Sequence, residues 1–222
     1  MTPYYAGGGI TVYHAKCEDV PRELLKCDLL LTDPPYGIGQ DKGAMGEGGS
    51  SAFGKKCQRI ACRSYEDRWD GERPSAELLR FVIARTRWQI IWGGNYFADI
   101  LPENQKWLVW DKQQTMPSFS DAEIAWTNLD GTSTKMFRQC SAGLMAVERD
   151  RWHPTQKPLA LMKWCLTLCL DVRSVLDPFA GSGTTLVAAK AFGLRAVGVE
   201  REEKYCELIA TRLGQEVLEF AE

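Results

Sequence analysis

Asp177-Pro178-Phe179-Ala180-Gly181-Ser182-Gly183-Thr184-Thr185 is the stretch whose reading decides the fold. An apolar run, Ser174 to Leu176, leads into it. A run of helical character, Thr184 to Phe192 stopped by Gly193, leads out. Strand, two-glycine turn and helix together form the repeating unit of parallel α/β sheets. Ala196 to Glu200 then reads as the next strand and Glu202 to about Leu218 as a final helix. Upstream, Asp28 to Thr32 is an apolar run cut off by Asp33-Pro34-Pro35, the pattern of a strand buried on both faces. Trp88 to Trp92 and Trp107 to Trp110 read the same way, and Ile10 to Tyr13 alternates like a short strand. Pro21 to Lys26 predicts one helical turn. Ser75 caps a helix over Ala76 to Arg87, and Pro158 opens another that runs to about Leu170. The expected fold class is therefore α/β: a Rossmann-like, mostly parallel central sheet with helices on both faces.

The 222 residues suit a single domain, 1–222, with two irregular parts. Residues 37–74 are rich in glycine, serine and charge and read as a long loop, while 113–152 are polar and irregular. Apolar residues at 45% and charged residues at 25% argue against disorder. Lysine and arginine total 27 against 29 acids, a net charge of −2, so any anionic partner is held by a local patch. Eight cysteines without a Cys-x-x-Cys pair, and two histidines, give no zinc pattern. Reduced thiols and no metal are expected. No apolar run reaches the ~18 residues of a membrane span, and Met1-Thr2-Pro3-Tyr4-Tyr5 does not read as a secretion leader. A cytoplasmic protein is the expectation.

Three ligand classes use a glycine loop between strand and helix, because it lets the backbone approach a ligand and aims helix N–H groups at it. A phosphate-binding P-loop ends in Gly-Lys-Ser/Thr, whereas this one ends Gly183-Thr184-Thr185. The dinucleotide fingerprint needs a third small residue where this chain has Leu186. The remaining class binds S-adenosylmethionine. It needs an acid at the strand end for the methionine ammonium, glycines for close approach, and a second acid one strand later for the ribose hydroxyls. Asp177 and Glu200 stand in those places.

Asp33-Pro34-Pro35-Tyr36 also follows a strand, at the edge where open α/β sheets bind ligands. The prolines stiffen the turn and remove two N–H donors. This suits methylation of an aromatic exocyclic amine, whose lone pair is delocalised into the ring. Asp33 and the Pro34 carbonyl can each accept one N–H, turning the lone pair towards an incoming methyl group, with Asp33 a base or only an acceptor. Tyr36 offers a flat face for stacking on a base, worth about 1–3 kcal/mol. An aromatic face such as Phe179 favours a sulfonium cation.

With both boxes in hand, the chain resembles the DNA amino-methyltransferases that modify adenine N6 or cytosine N4, in the permuted β-type order where the catalytic box comes first. A third family box, His153-Pro154-Thr155-Gln156-Lys157-Pro158, lies just ahead of the glycine loop. The resemblance implies the S-adenosylmethionine-dependent methyltransferase fold, with Asp33, Pro34, Pro35 and Tyr36 as the catalytic box. It implies that Asp177, Phe179, Ala180, Gly181, Gly183 and Thr184 cradle the cofactor and that Glu200 holds its ribose. Thr155 and Lys157, at a helix N-terminus, are placed to receive the cofactor's carboxylate. Where the family carries an acid for the cofactor's adenine this chain has Lys16, and Asp19 is the nearby substitute.

The partner implied is double-stranded DNA, with the target base flipped into a pocket floored by Tyr36. Between residues 38 and 64, Lys42, Lys55, Lys56, Arg59 and Arg63 outnumber Asp41 and Glu47, and the glycine-rich loop reads as a DNA-contacting element. Residues 112–152, with Lys112, Lys135, Arg138, Arg149 and Arg151, form a small candidate target-recognition segment. Aspartate at the first box position favours adenine. The alternatives are cytosine N4, an RNA or protein amide substrate, or a non-catalytic DNA-binding module. The resemblance further implies a bacterial or phage restriction-modification setting and allows a homodimer.

Overall fold

The computed structural model describes residues 1–38, 72–114, 120–140 and 156–214. The chain divides into two units: Met1–Pro34 with Ala76–Glu222, and Pro35–Ser75. The larger unit holds one sheet, described below. In the smaller, the described residues are 35–38 and 72–75; Tyr36 is half-buried and Gly37 adopts a left-handed φ of 71°.

Two apolar runs pair in parallel at the middle of the sheet, β3 (Cys27–Thr32) and β8 (Ser174–Asp177). Beyond β8 lie β9 (Arg195–Glu200) and β2 (Ile10–His14), both parallel, and β1 (Tyr5–Gly7), antiparallel at the edge. On the other side β3 pairs in parallel with β4 (Thr86–Trp92). Then come β6 (Ala122–Thr127), β5 (Trp107–Asp111) and β7 (Lys135–Arg138), in that spatial order. β6 runs against both of its neighbours, and β5 and β7 are parallel.

All four residues of β8 are buried, as a strand covered on both faces must be. Leu29, Leu31, Ile90 and Trp92 share a core with Leu161 and Met162 of α2 (Leu159–Thr167) and Leu186 of α3 (Thr184–Ala191). Leu30 and Ile91 alternate with them, are fully buried, and face the other side. Full burial of a Leu or Ile contributes about 1.5–3 kcal/mol, so these two strands carry much of the stability. α4 (Glu203–Gly214) packs on α3, and α1 (Ala76–Ile83) on β4. No described helix is long and apolar enough to cross a membrane. Among the described residues, Cys17, Cys27, Cys165, Cys169 and Cys206 are free thiols.

The expected α/β class holds, with three corrections in detail. The helix expected to reach Arg87 ends at Ile83, because Thr86 already pairs with Cys27 as sheet. The helix from Pro158 stops at Thr167 rather than near Leu170, closing with tight turns from Leu168 and Cys169 N–H to Cys165 and Leu166 carbonyls. The largest correction concerns 113–152, which is not irregular throughout. It supplies β6, which sits inside the sheet, and β7, which edges it. Its residues 115–119 and 141–152, the body of the 37–74 loop, and the end of the final helix expected to reach Leu218 lie outside the described residues.

Candidate active site

The chain leaves β3 for β4 in one direction along the sheet and leaves β8 for β9 in the other. Where neighbouring parallel strands part company in this way, a crevice opens outside their C-terminal ends. Asp33 follows the end of β3, and Asp177 ends β8. Two boxes far apart in sequence are thus brought together by register alone, Leu30 lying opposite Leu176. Thr32 Oγ1 ties the two ends by donating to Asp177 Oδ1 at 2.7 Å.

Asp177 is only 3% exposed, and its partners are neutral donors: the Thr32 and Thr185 hydroxyls and the Phe179 N–H at 3.2 Å. Burial pushes its carboxyl up to about 6, with neighbouring Asp33 adding to the rise and the hydrogen bonds opposing it. Glu200 ends β9. Its Oε2 accepts the Gly181 N–H at 2.7 Å and its Oε1 the Glu202 N–H at 2.9 Å. Burial again dominates and lifts this carboxyl to about 7. One acid therefore fixes the start of the glycine loop and the other its middle.

The two glycines do different work. Gly183 has φ 77°, and a Cβ there would lie 2.7 Å from Ile209 Cγ1, so α4 packs where a side chain would be. Gly181 has φ 51°, yet a Cβ there would meet nothing within 4 Å. Its left-handed backbone is held by Glu200 beside open space. That is the cradle a close-approaching ligand needs. Ala180 is buried, with its N–H on Val199 O at 3.0 Å. Thr184 starts α3 with its hydroxyl near Ser182 and Arg212, turned into the packing between α3 and α4.

On the Asp33 side the partners are cations. Lys157, just ahead of α2, is 5% exposed; its Nζ donates to Asp33 Oδ2 at 2.6 Å and lies 2.9 Å from Glu123 Oε2. Lys112 pairs with the other oxygen of Glu123. Burial works against ionisation of Glu123, but Lys157 and Lys112 overcome it and hold the carboxyl down at about 2. Lys157, which the resemblance places to receive a cofactor carboxylate, pairs in this structure with Asp33 and Glu123. A buried ammonium without counter-charge is costly, and two carboxylates are what the site offers it.

Glu123 was not foreseen. It stands second in β6, and β6 runs backwards, so its first residues reach the edge where the parallel strands end. The clue in the sequence was a carboxylate entering an apolar run, Glu123-Ile124-Ala125-Trp126. Of the remaining expected residues, Pro34 is buried beside Asp33, while Pro35 and Tyr36 belong to the smaller unit. Asp19 is exposed in the 3-10 turn Cys17–Asp19 after β2. Thr155 and His153 lie outside the described residues.

Known proteins share this architecture. Residues 125–211 match the family model described as DNA methylase, of the N6/N4 class. Type II methyltransferase M2.LlaDCHI of Lactococcus lactis subsp. cremoris is 24% identical over 253 aligned positions, covering 96% of this chain and 92% of the relative. M2.DpnII of Streptococcus pneumoniae is 24% identical with 96% and 93% covered. The crystal structure titled M1.HpyAVI-SAM complex matches with a TM-score of 0.60 at 24% identity, covering 93% of this chain and all of that one. Fold, box order and these relatives agree: the chain is similar to DNA amino-methyltransferases of the N6/N4 class.

Proposed function

We propose that this protein methylates the exocyclic N6 amine of adenine in duplex DNA, at a base flipped out of the stack. The observation that carries the reading is the meeting of Asp33 and Asp177 at the ends of two adjacent strands, joined through Thr32. A methyl acceptor and a methyl donor need two binding ends that share one crevice, and the switch in strand order between β3 and β8 favours one.

The donor is S-adenosylmethionine, which supplies an electrophilic methyl group on a sulfonium. Gly181 leaves the backbone open to its methionine end, and Glu200 is the acceptor for its ribose hydroxyls. A carboxylate has roughly four lone-pair sites and Glu200 uses two on backbone donors, so capacity remains. Asp177, buried among neutral donors, is the acid for the methionine ammonium, and Phe179 gives the sulfonium an aromatic neighbour. Ala180, Gly183 and Thr184 shape the loop around these contacts.

Asp33 and the Pro34 carbonyl each accept one N–H of the amine. This draws the nitrogen lone pair out of conjugation and directs it at the methyl carbon, as the carbon–sulfur bond breaks and the carbon–nitrogen bond forms, one N–H proton then passing to Asp33 or to solvent. Pro35 stiffens the turn, and Tyr36 stacks on the base. Aspartate rather than serine at position 33 supports adenine over cytosine. We place DNA phosphates on the basic residues of the 37–74 loop, and sequence reading on 112–152, where β7 exposes Lys135 and Arg138. A homodimer would extend so short a reading surface.

The test is transfer of labelled methyl to duplex DNA, with RNA and protein as controls, followed by sequencing of DNA from a methylation-free host. N6-methyladenine at one short sequence is the expected result. N4-methylcytosine would overturn the choice of base, and cofactor binding without transfer to any DNA would overturn the function.

A further inference from the structure

Lys112, Glu123, Lys157 and Asp33 form a chain of alternating charge that runs from β5's end, through β6, to the catalytic box. Each link is short. Lys157 Nζ is 2.6 Å from Asp33 Oδ2 and 2.9 Å from Glu123 Oε2. Lys157 is 5% exposed, so its ammonium has exchanged water for these two carboxylates.

Geometry gives the three partners unequal freedom. Glu123 is paired to β5, with Trp110 directly opposite it, and the ladder to β4 begins two residues later at Ala125. Its backbone cannot shift without disturbing the β5 ladder. Asp33, by contrast, follows the last residue of β3, where the ladder has ended. Lys157 has a flexible four-carbon stem and precedes α2. A flexible cation held between an anchored acid and a less anchored one transmits the position of the first to the second. Lys112 fixes the far oxygen of Glu123 and so orients the anchor itself.

We propose that Glu123 is a positioning residue for methyl transfer, setting the orientation of the Asp33 carboxylate through Lys157. The inference rests on the reading of Asp33 as the acceptor for the target amine. It adds that Asp33 alone does not define the reactive geometry. The ammonium of Lys157 occupies Oδ2 and dictates how the carboxylate presents itself to the amine. An amine lone pair misdirected by a rotated carboxylate would bind as well and react more slowly. Glu123 touches neither base nor cofactor in this account.

The test is single-turnover methyl transfer to duplex DNA by the full chain, with cofactor affinity measured alongside by calorimetry. Glu123→Gln keeps the shape and removes the charge. It is expected to slow transfer about 10- to 100-fold, by analogy with loss of the partners that orient a metal's ligands, and to leave cofactor affinity within about twofold. Because the effect passes through Lys157, adding Glu123→Gln to Lys157→Gln should cost no more than about twofold further, whereas independent roles would multiply. Lys112→Gln, which keeps both acids and Lys157, guards against a variant that fails to fold. It should slow transfer in the same direction by a smaller factor. Wild-type rates in both Glu123→Gln and Lys112→Gln, a rate loss matched by lost cofactor affinity, or full multiplication in the double variant would each overturn the proposal. Failure of the wild-type chain to methylate DNA would instead overturn the function on which it rests.

Discussion

Two pairs of carboxylates flank the same crevice, and their electrostatics are opposite. Asp177 and Glu200 are held chiefly by neutral hydroxyl and amide donors, and burial raises both, to about 6 and about 7. Asp33 and Glu123 are held by lysines, and Glu123 is driven down to about 2. The first pair is short of positive charge and gains from an arriving cation. The second already carries its counter-charge. Residue type alone would not distinguish them. On the proposed function, a donor bearing an ammonium and a sulfonium belongs on the first side, and a neutral amine beside Asp33 on the second.

The largest break in this comparison should come from Asp33→Ala. Methyl transfer should fall by about 100- to 1,000-fold, the scale of losing a preorganised transition-state partner, while calorimetric cofactor affinity stays nearly unchanged. A large loss of cofactor binding would move Asp33 to the other pair. Glu200→Ala should do the reverse and weaken cofactor binding first, by about 1.5–3 kcal/mol for hydrogen bonds to a charged acceptor. Unchanged affinity would remove Glu200 from the cofactor side.

The pH dependence sharpens the contrast. With the Glu200 carboxyl at about 7 in the folded chain against 4.5 as its ordinary value, the folded state holds a proton that the unfolded state has released. Stability should therefore drain away as pH rises between those two values, and Glu200→Gln should flatten that part of a melting-temperature profile. Cofactor affinity should move the other way, falling about tenfold per unit as pH drops below the Glu200 value, because the ionised acceptor is the form that binds. Glu123 has the ordinary sign, its contribution being lost only as pH falls from 4.5 towards about 2. A cofactor affinity flat across the neutral range would show that the Glu200 charge is not used.

A smaller effect separates the two glycines. Gly183→Ala meets Ile209 as well as an unfavourable φ and should lower stability by about 1–3 kcal/mol, read as a drop in melting temperature. Gly181→Ala meets only the φ, so it should melt nearer to wild type while binding the cofactor less well. Equal melting losses would contradict the open cradle at Gly181.

The central strand ends were easy to read in the sequence. β3, β8 and β9 lie in the parallel part of the sheet, and such strands are written as largely apolar runs that stop at or just before Asp33, Asp177 and Glu200. The rest was harder. β6 opens with Ala122 and Glu123 and is preceded by Ser120 and Asp121, so its apolar run looks too short for a core strand. β7, Lys-Met-Phe-Arg, is an edge strand with exposed charge at both ends. Missing β6 meant missing Glu123, because only a reversed strand carries its first residues to the active edge. The ion pairs of Lys157 were illegible for the same reason: an ammonium's direction is set by acids from β3 and β6, not by its own box.

A crystal structure of the chain with S-adenosylhomocysteine tests the shared crevice most directly. The account predicts the sulfur between the ends of β3 and β8, the methionine chain against Gly181 and the ribose hydroxyls on Glu200, with Lys157 still bound to Asp33. Ligand bound away from those two strand ends, or a Glu200 carboxylate that makes no contact with it, would contradict the central claim.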